Sequence, residues 1–346
     1  MAYTDIDKSD DYFNTVLYTG NGTAKSITGV GFQPDWVWIK DRDNANSHRL
    51  FDGVRGIHKK LFSNSTSAEV TDVNSLTSFT ADGFDSGSDS GMNGSGVNFV
   101  SWNWLGANGT ASNTDGSITS TVSANTTSGF SIVSYTGTGS NATVGHGLGS
   151  ELACYIIKQR NTTGGWIVYH KGNTSSPQTD YLRLDKTDAT VDDAIFNDNA
   201  PTSSVFSIGT NAPVNTSSGT YIAYCFAEKK GFSKFGSYTG NGNADGTFVY
   251  TGMKPSFVIL KRTDSSGFQW VLSDGVRDPD NAVEKYVHPS TSDAELSGSR
   301  DIDFLSNGFK IRNSNTTWNA SGGSYIYMCF ASSPFTTSTG IPTVAR

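Results

Sequence analysis

The chain is 346 residues long with a formal net charge of −7; 16% of its residues are charged, and Gly, Ser, Thr and Asn (38, 46, 39 and 26) make up 43% of it. The strong helix formers are scarce, which argues against a helical protein, and no Lys/Arg stripe marks a nucleic-acid phosphate interface. Aromatic residues at 12% exclude a disordered chain, and no stretch reaches the roughly 18 apolar residues of a membrane span.

Residues 1–11 are polar and carry neither the basic nor the apolar region of a secretion signal, so they read as an N-terminal arm that orders against a partner. A first unit, residues 12–106, opens on Tyr18-Thr19-Gly20 and continues with the apolar strand Trp36-Val37-Trp38-Ile39-Lys40. It then runs through a strand centred on Phe84 and ends, after Asn93-Gly94, on Phe99-Val100-Ser101-Trp102-Asn103-Trp104. Residues 107–128 are almost entirely small and polar and are expected to be a flexible or weakly strand-forming linker.

The same script returns in residues 129–228, with Tyr135-Thr136-Gly137, Cys154-Tyr155-Ile156-Ile157-Lys158, Phe206, Asn215 and Tyr221-Ile222-Ala223-Tyr224-Cys225-Phe226. Residues 229–335 repeat it with Tyr238-Thr239-Gly240, Phe257-Val258-Ile259-Leu260-Lys261, Phe309, Asn319 and Tyr325-Ile326-Tyr327-Met328-Cys329-Phe330. Arg42, Arg160 and Arg262 each follow the lysine strand. A short helix is expected around Asn281 to Val287, and residues 336–346 read as a second arm. The short connection between the last two units suggests that they lie closer together than the first two.

Five features in one order, three times over, define three homologous units of about 100 residues, well above the 20 to 50 of a solenoid repeat. Short apolar strands separated by Gly, Asn and Asp predict an all-β protein of three tandem β-sandwich domains, jelly-roll or lectin-like. The closing strand of each unit is apolar at nearly every position, the pattern of a strand buried on both faces.

Chemistry-bearing motifs are sparse. Cys154, Cys225 and Cys329 sit inside apolar runs and read as buried free thiols, and Asn103 takes their place in the first unit. No catalytic spacing of Ser, His, Cys or paired metal ligands is present, and no cofactor is expected. The loops Asp41/Asp43/Asn44/Asn46, Asp82/Asp85/Asp89 and Asp274/Asp278/Asp280/Asn281 are oxygen-rich enough to consider for calcium, although none matches an EF-hand. Glu228-Lys229-Lys230-Gly231-Phe232-Ser233-Lys234, the densest basic spot, reads as a solvated linker. Among the seven tryptophans, Trp318 lies in a polar loop and is the candidate exposed glycan contact.

The segments Tyr12 to Gly22, Gly31 to Lys40, His48 to Gly56, Tyr221 to Gly231 and Ile341 to Arg346 resemble repeat-bearing structural proteins of marine tailed bacteriophages, tail-fibre-like or lectin-like and built on a domain of unknown function. The resemblance covers nearly the whole chain. It implies a non-enzymatic virion surface protein, made in the host cytoplasm, released by lysis and serving attachment to host surface polysaccharide. The alternatives are a capsid or tail decoration protein and, further off, a glycan depolymerase. Its expected partners are other virion proteins and further copies of itself, a trimer being plausible, with no nucleic acid and no membrane insertion.

Overall fold

The computed structural model describes residues 3–343. The repeated script folds three times into one four-stranded antiparallel sheet. In the first repeat its strands are β1 (Phe13–Thr19), β2 (Trp36–Asp41), β3 (Arg49–Asp52) and β4 (Asn98–Trp104). The second repeat supplies β5 (Phe130–Thr136), β6 (Cys154–Gln159), β7 (Trp166–His170) and β8 (Thr220–Phe226); the third supplies β9 (Ser233–Thr239), β10 (Met253–Arg262), β11 (Val271–Asp274) and β12 (Ser324–Pro334). The spatial orders β1-β4-β2-β3, β5-β8-β6-β7 and β9-β12-β10-β11 are the same, with the closing strand always between the first strand and the lysine strand. Trp36 faces Trp104, Cys154 faces Phe226 and Phe257 faces Phe330, which sets the equivalence of the repeats residue by residue.

Alternation along these strands sends neighbouring side chains into two different cores. Val100, Trp102 and Trp104, Ile222, Tyr224 and Phe226, and Ile326, Met328 and Phe330 all enter one cluster shared by the three repeats. The residues between them enter cores private to each repeat: Phe99 in the first, Tyr221, Ala223 and Cys225 in the second, Tyr325, Tyr327 and Cys329 in the third. The closing strands are therefore buried on both faces. The chain is all-β, as its composition implies, and each repeat is layered about its own core. The inner faces of the three sheets meet in a common centre, so the repeats are walls of one body.

A one-turn helix precedes each closing strand: α1 (Ser90–Asn93), α2 (Ala212–Asn215) and α3 (Thr316–Asn319). The Tyr-Thr-Gly motif is the docking point for that helix. Tyr18, Tyr135 and Tyr238 donate their hydroxyls to the carbonyls of Met92, Val214 and Trp318 at 2.8, 2.8 and 2.7 Å. A Cβ on Gly20, Gly137 or Gly240 would lie 2.2 to 2.4 Å from the carbonyl of Gly94, Thr216 or Ala320, so the helix end requires glycine there. The buried Asn93, Asn215 and Asn319 close the corner, each accepting a backbone N–H through Oδ1 and donating to carbonyls of the adjacent loop.

Three expectations are corrected. Residues 107–128 are not a linker between units, and of the two alternatives the strand-forming one holds: Ala111–Asn113 and Ser120–Asn125 are strands added to β5, with Ile118 and Val122 in the second repeat's core. The N-terminal arm packs on its own chain, with Ile6 in the shared core and Asp7 accepting hydrogen bonds from Ser338 of the other arm. Residues 1–2 and 344–346 of the two arms lie outside the described residues. Val283–Val287 is a strand, paired with β11 and with Leu296–Leu305, because Val283 and Tyr286 are needed in the third repeat's core.

Candidate functional site

Several of the buried ionisable groups serve the junctions between repeats. Lys40, Lys158 and Lys261 close their strands with no exposed surface, and burial lowers each ammonium to about 8. Lys40 Nζ donates to carbonyls of Asp41 and Asn46 at 2.6 and 2.8 Å, and Lys158 Nζ donates to those of Gln159 and Gly164 at 2.9 and 2.8 Å. Lys40 also reaches Ser292 of the third repeat, and Lys158 reaches Thr66 of the first. Ring N–H groups cross every junction, among them Trp166 to the Phe62 carbonyl at 2.9 Å, Trp270 to that of Arg183 at 2.8 Å, and His48 Nε2 to that of His288 at 3.1 Å. Trp38 Nε1 donates to His48 Nδ1, so the His48 proton sits on Nε2.

Two junctions add the same buried ion network. Between the second and first repeats, Arg160 forks Glu69 at 3.0 and 3.1 Å, and Glu69 also accepts from Arg55 at 3.2 Å. Arg55 pairs with Asp52, and Tyr224 donates its hydroxyl to that carboxylate at 2.7 Å. Between the first and third repeats, Arg42, Glu295, Arg277, Asp274 and the Trp102 N–H repeat the arrangement. At the third junction the equivalent residues are Thr263, Thr190, Asn173, His170 and Met328, so all five positions change together. Arg262 is not the counterpart of Arg42 and Arg160; it pairs with Asp264 of its own repeat. Here His170 Nε2 donates to the Tyr327 carbonyl at 3.0 Å, beside an apolar cavity of about 20 Å³ lined by Cys154, His170, Trp270 and Met328.

The buried histidines make an acid-sensitive set. Burial lowers His170 to about 4, and burial with the nearby Lys40 holds His48 well below its ordinary value. Between about pH 6.5 and 4 the unfolded chain binds protons that the folded chain does not, so stability falls as pH drops through that window. Urea midpoints at pH 7, 5.5 and 4.5 should decline steadily, and His170→Gln should reduce the slope by about one proton. An unchanged wild-type midpoint from pH 7 to 4.5 would contradict this.

The oxygen-rich loops are not assembled around a common point. Asp41 is capped by N–H groups of Asp43, Asn44 and Asn46, Asp82 by the amides of Gly29 and Gly31, Asp89 by Arg49 and Lys60, and Asp274 by Arg277. Among the described residues no group of three His, Cys, Asp or Glu could hold a metal ion. All three cysteines are buried free thiols, with burial raising each above its ordinary value.

Trp318 is not an exposed platform. It has no exposed surface, its Nε1 donates to Asn313 Oδ1 at 2.8 Å, and it occupies the position of Met92 and Val214 beneath the one-turn helix. The other six tryptophans are at most 5% exposed. Open aromatic surface lies elsewhere, on the edge strand Phe248–Tyr250, whose Phe248 and Tyr250 are 44% and 59% exposed.

Tyr250 forms one side of a cleft of about 240 Å³ with Tyr3, Glu228, Lys230, Ser233 and Lys234. The two tyrosine hydroxyls lie 3.2 Å apart, and burial together with the Tyr250 hydroxyl raises Tyr3 to about 12. The Lys230 ammonium stands 4.7 Å from the Tyr3 ring centre. Burial pushes the Glu228 carboxyl up, but Lys171 and Lys234, at 2.5 and 2.6 Å, outweigh it and hold the group below the usual carboxylate range. The basic spot expected to be a linker is thus a wall of this cleft, pinned where Thr4 Oγ1 donates to the Lys230 carbonyl. Nothing equivalent occurs in the other repeats, where Thr28 and Gly145 stand at the position of Tyr250 and Ser26 and Thr143 at that of Phe248.

Residues 8–334 match the family model described as Domain of unknown function (DUF7483). The chain belongs to that family. The match runs unbroken through the three repeats and takes in Glu228, Lys230, Lys234 and Tyr250, leaving only Tyr3 of the cleft outside it. No curated protein matches the chain. In this DUF7483 chain the residues common to the repeats build helix docking and junctions, and the cleft is built from the end of the second repeat, the third repeat and the N-terminal segment.

Proposed function

We propose that the protein is a non-enzymatic surface component of a tailed-phage virion that holds host surface glycan in the Tyr3–Tyr250 cleft. The observation that carries this reading is the pairing, in one solvent-open cleft, of an exposed tyrosine ring with charged hydrogen-bonding groups. A sugar ring needs both: an aromatic face for its C–H groups and polar partners for its hydroxyls. The phage setting rests on the resemblance of the repeat segments. Presentation in many copies would turn weak single-site binding into firm adsorption.

Purified protein displayed on beads is expected to bind host cells or envelope glycans, and Tyr250→Ala to weaken that binding about tenfold, the scale of one ring contact. Unchanged binding by the variant would remove the cleft from the reading. A decoration role is the second reading, and the exposed edge strand Phe248–Tyr250 favours it by offering backbone to a neighbouring virion protein. Electron microscopy of tagged virions separates the two: a few copies on tail or fibre support host attachment, and hundreds over the head select decoration.

A further inference from the structure

We infer that the saccharide fitting the Tyr3–Tyr250 cleft is an acidic one, a sugar ring bearing a carboxylate that is met by Lys230. This rests on the glycan reading above and adds a ligand class to it. The chain as a whole is acidic, with a net charge of −7, yet this cleft gathers Lys230 and Lys234, with Lys171 behind, against the single carboxylate of Glu228. Glu228 is shared between Lys171 and Lys234, so those three groups hold one another in place.

Lys230 is different. Its side chain is exposed and touches the Tyr3 ring face, with no carboxylate partner among the described residues. A cation held over a ring by cation–π attraction keeps its outward N–H donors for an anion. Tyr250 lines the same cleft with an open ring, its hydroxyl meeting that of Tyr3. A pyranose lying on Tyr250 would place a ring carboxylate toward Lys230, and about 240 Å³ accommodates a single ring of that size. A neutral sugar would leave the ammonium without an anionic partner.

The test uses the full chain with trimers of glucuronate, galacturonate and mannuronate, each beside its methyl ester, which keeps the ring and removes the charge. Saturation-transfer NMR and calorimetry should show at least one acid trimer binding about tenfold more tightly than its ester, the scale of one charge-assisted hydrogen bond. The advantage should shrink as salt rises from about 0.05 to 0.5 M. Lys230→Gln, at an exposed position, should bring the acid down to the level of the ester, whereas Tyr250→Ala should weaken both. Equal binding of acid and ester by the wild type would overturn the acidic preference and leave the glycan reading standing. Absence of saturation transfer from these sugars and from neutral oligosaccharides alike would overturn both.

Discussion

Trp36→Ala is expected to destabilise the whole chain by about 3–5 kcal/mol while leaving unfolding a single transition. Trp36 has no exposed surface and lies against aromatic rings of two repeats: Trp104 of the first at 4.3 Å, with Tyr224 at 4.3 Å and Phe130 at 5.7 Å from the second. Its removal opens a void in the core that joins the sheets, where neighbouring rings can relax only in part. A urea titration followed by fluorescence and by far-UV circular dichroism should give one coincident transition at a lower midpoint. Loss of the first repeat alone, with the other two unfolding later, would show that the shared core does not couple them.

That coupling was half legible in the sequence. The closing strands, apolar at nearly every position, announced burial on both faces, and both faces are indeed covered. A strand pattern reports that a face is buried but not what covers it, so the inner faces of β4, β8 and β12 could equally have belonged to three separate sandwiches. Residues 107–128 misled for a related reason. Their small polar side chains suit a linker, but two strands need only backbone pairing and a few apolar contacts, which Ile118 and Val122 supply.

The site was less legible. Trp318 drew attention as an aromatic in a polar loop, yet the repeat alignment held the correction: the residue before the shared Asn is Met92, Val214 and Trp318, an apolar position in all three. Tyr250 and Tyr3 carried no local signal. They meet across 247 residues, and it is the return of the N-terminal segment onto the third repeat that brings them together. The one sequence hint was the cluster Glu228 to Lys234, whose charge concentration in an acidic chain is better explained by a cleft wall than by a connector.

Asp52→Ala is expected to cost about 3–5 kcal/mol, because it leaves the Arg55 guanidinium without its main partner in a site with no exposed surface and strips the Tyr224 hydroxyl of its acceptor. The chain contains its own control for this loss. At the junction of the third and second repeats the same five positions hold His170, Asn173, Thr190, Thr263 and Met328, and the backbone link persists, with Thr190 N–H donating to the Thr263 carbonyl as Glu69 N–H does to that of Arg160. The fold therefore accepts either a complete ion network or none. Transplanting the set, as Asp52→His, Arg55→Asn, Glu69→Thr, Arg160→Thr and Tyr224→Met together, should cost less than Asp52→Ala alone, since no buried charge is left unpaired. Urea midpoints of the single and fivefold variants decide the matter. A fivefold loss near the sum of the single losses would mean that each contact stabilises its junction independently, and that the third junction is held by contacts the other two lack.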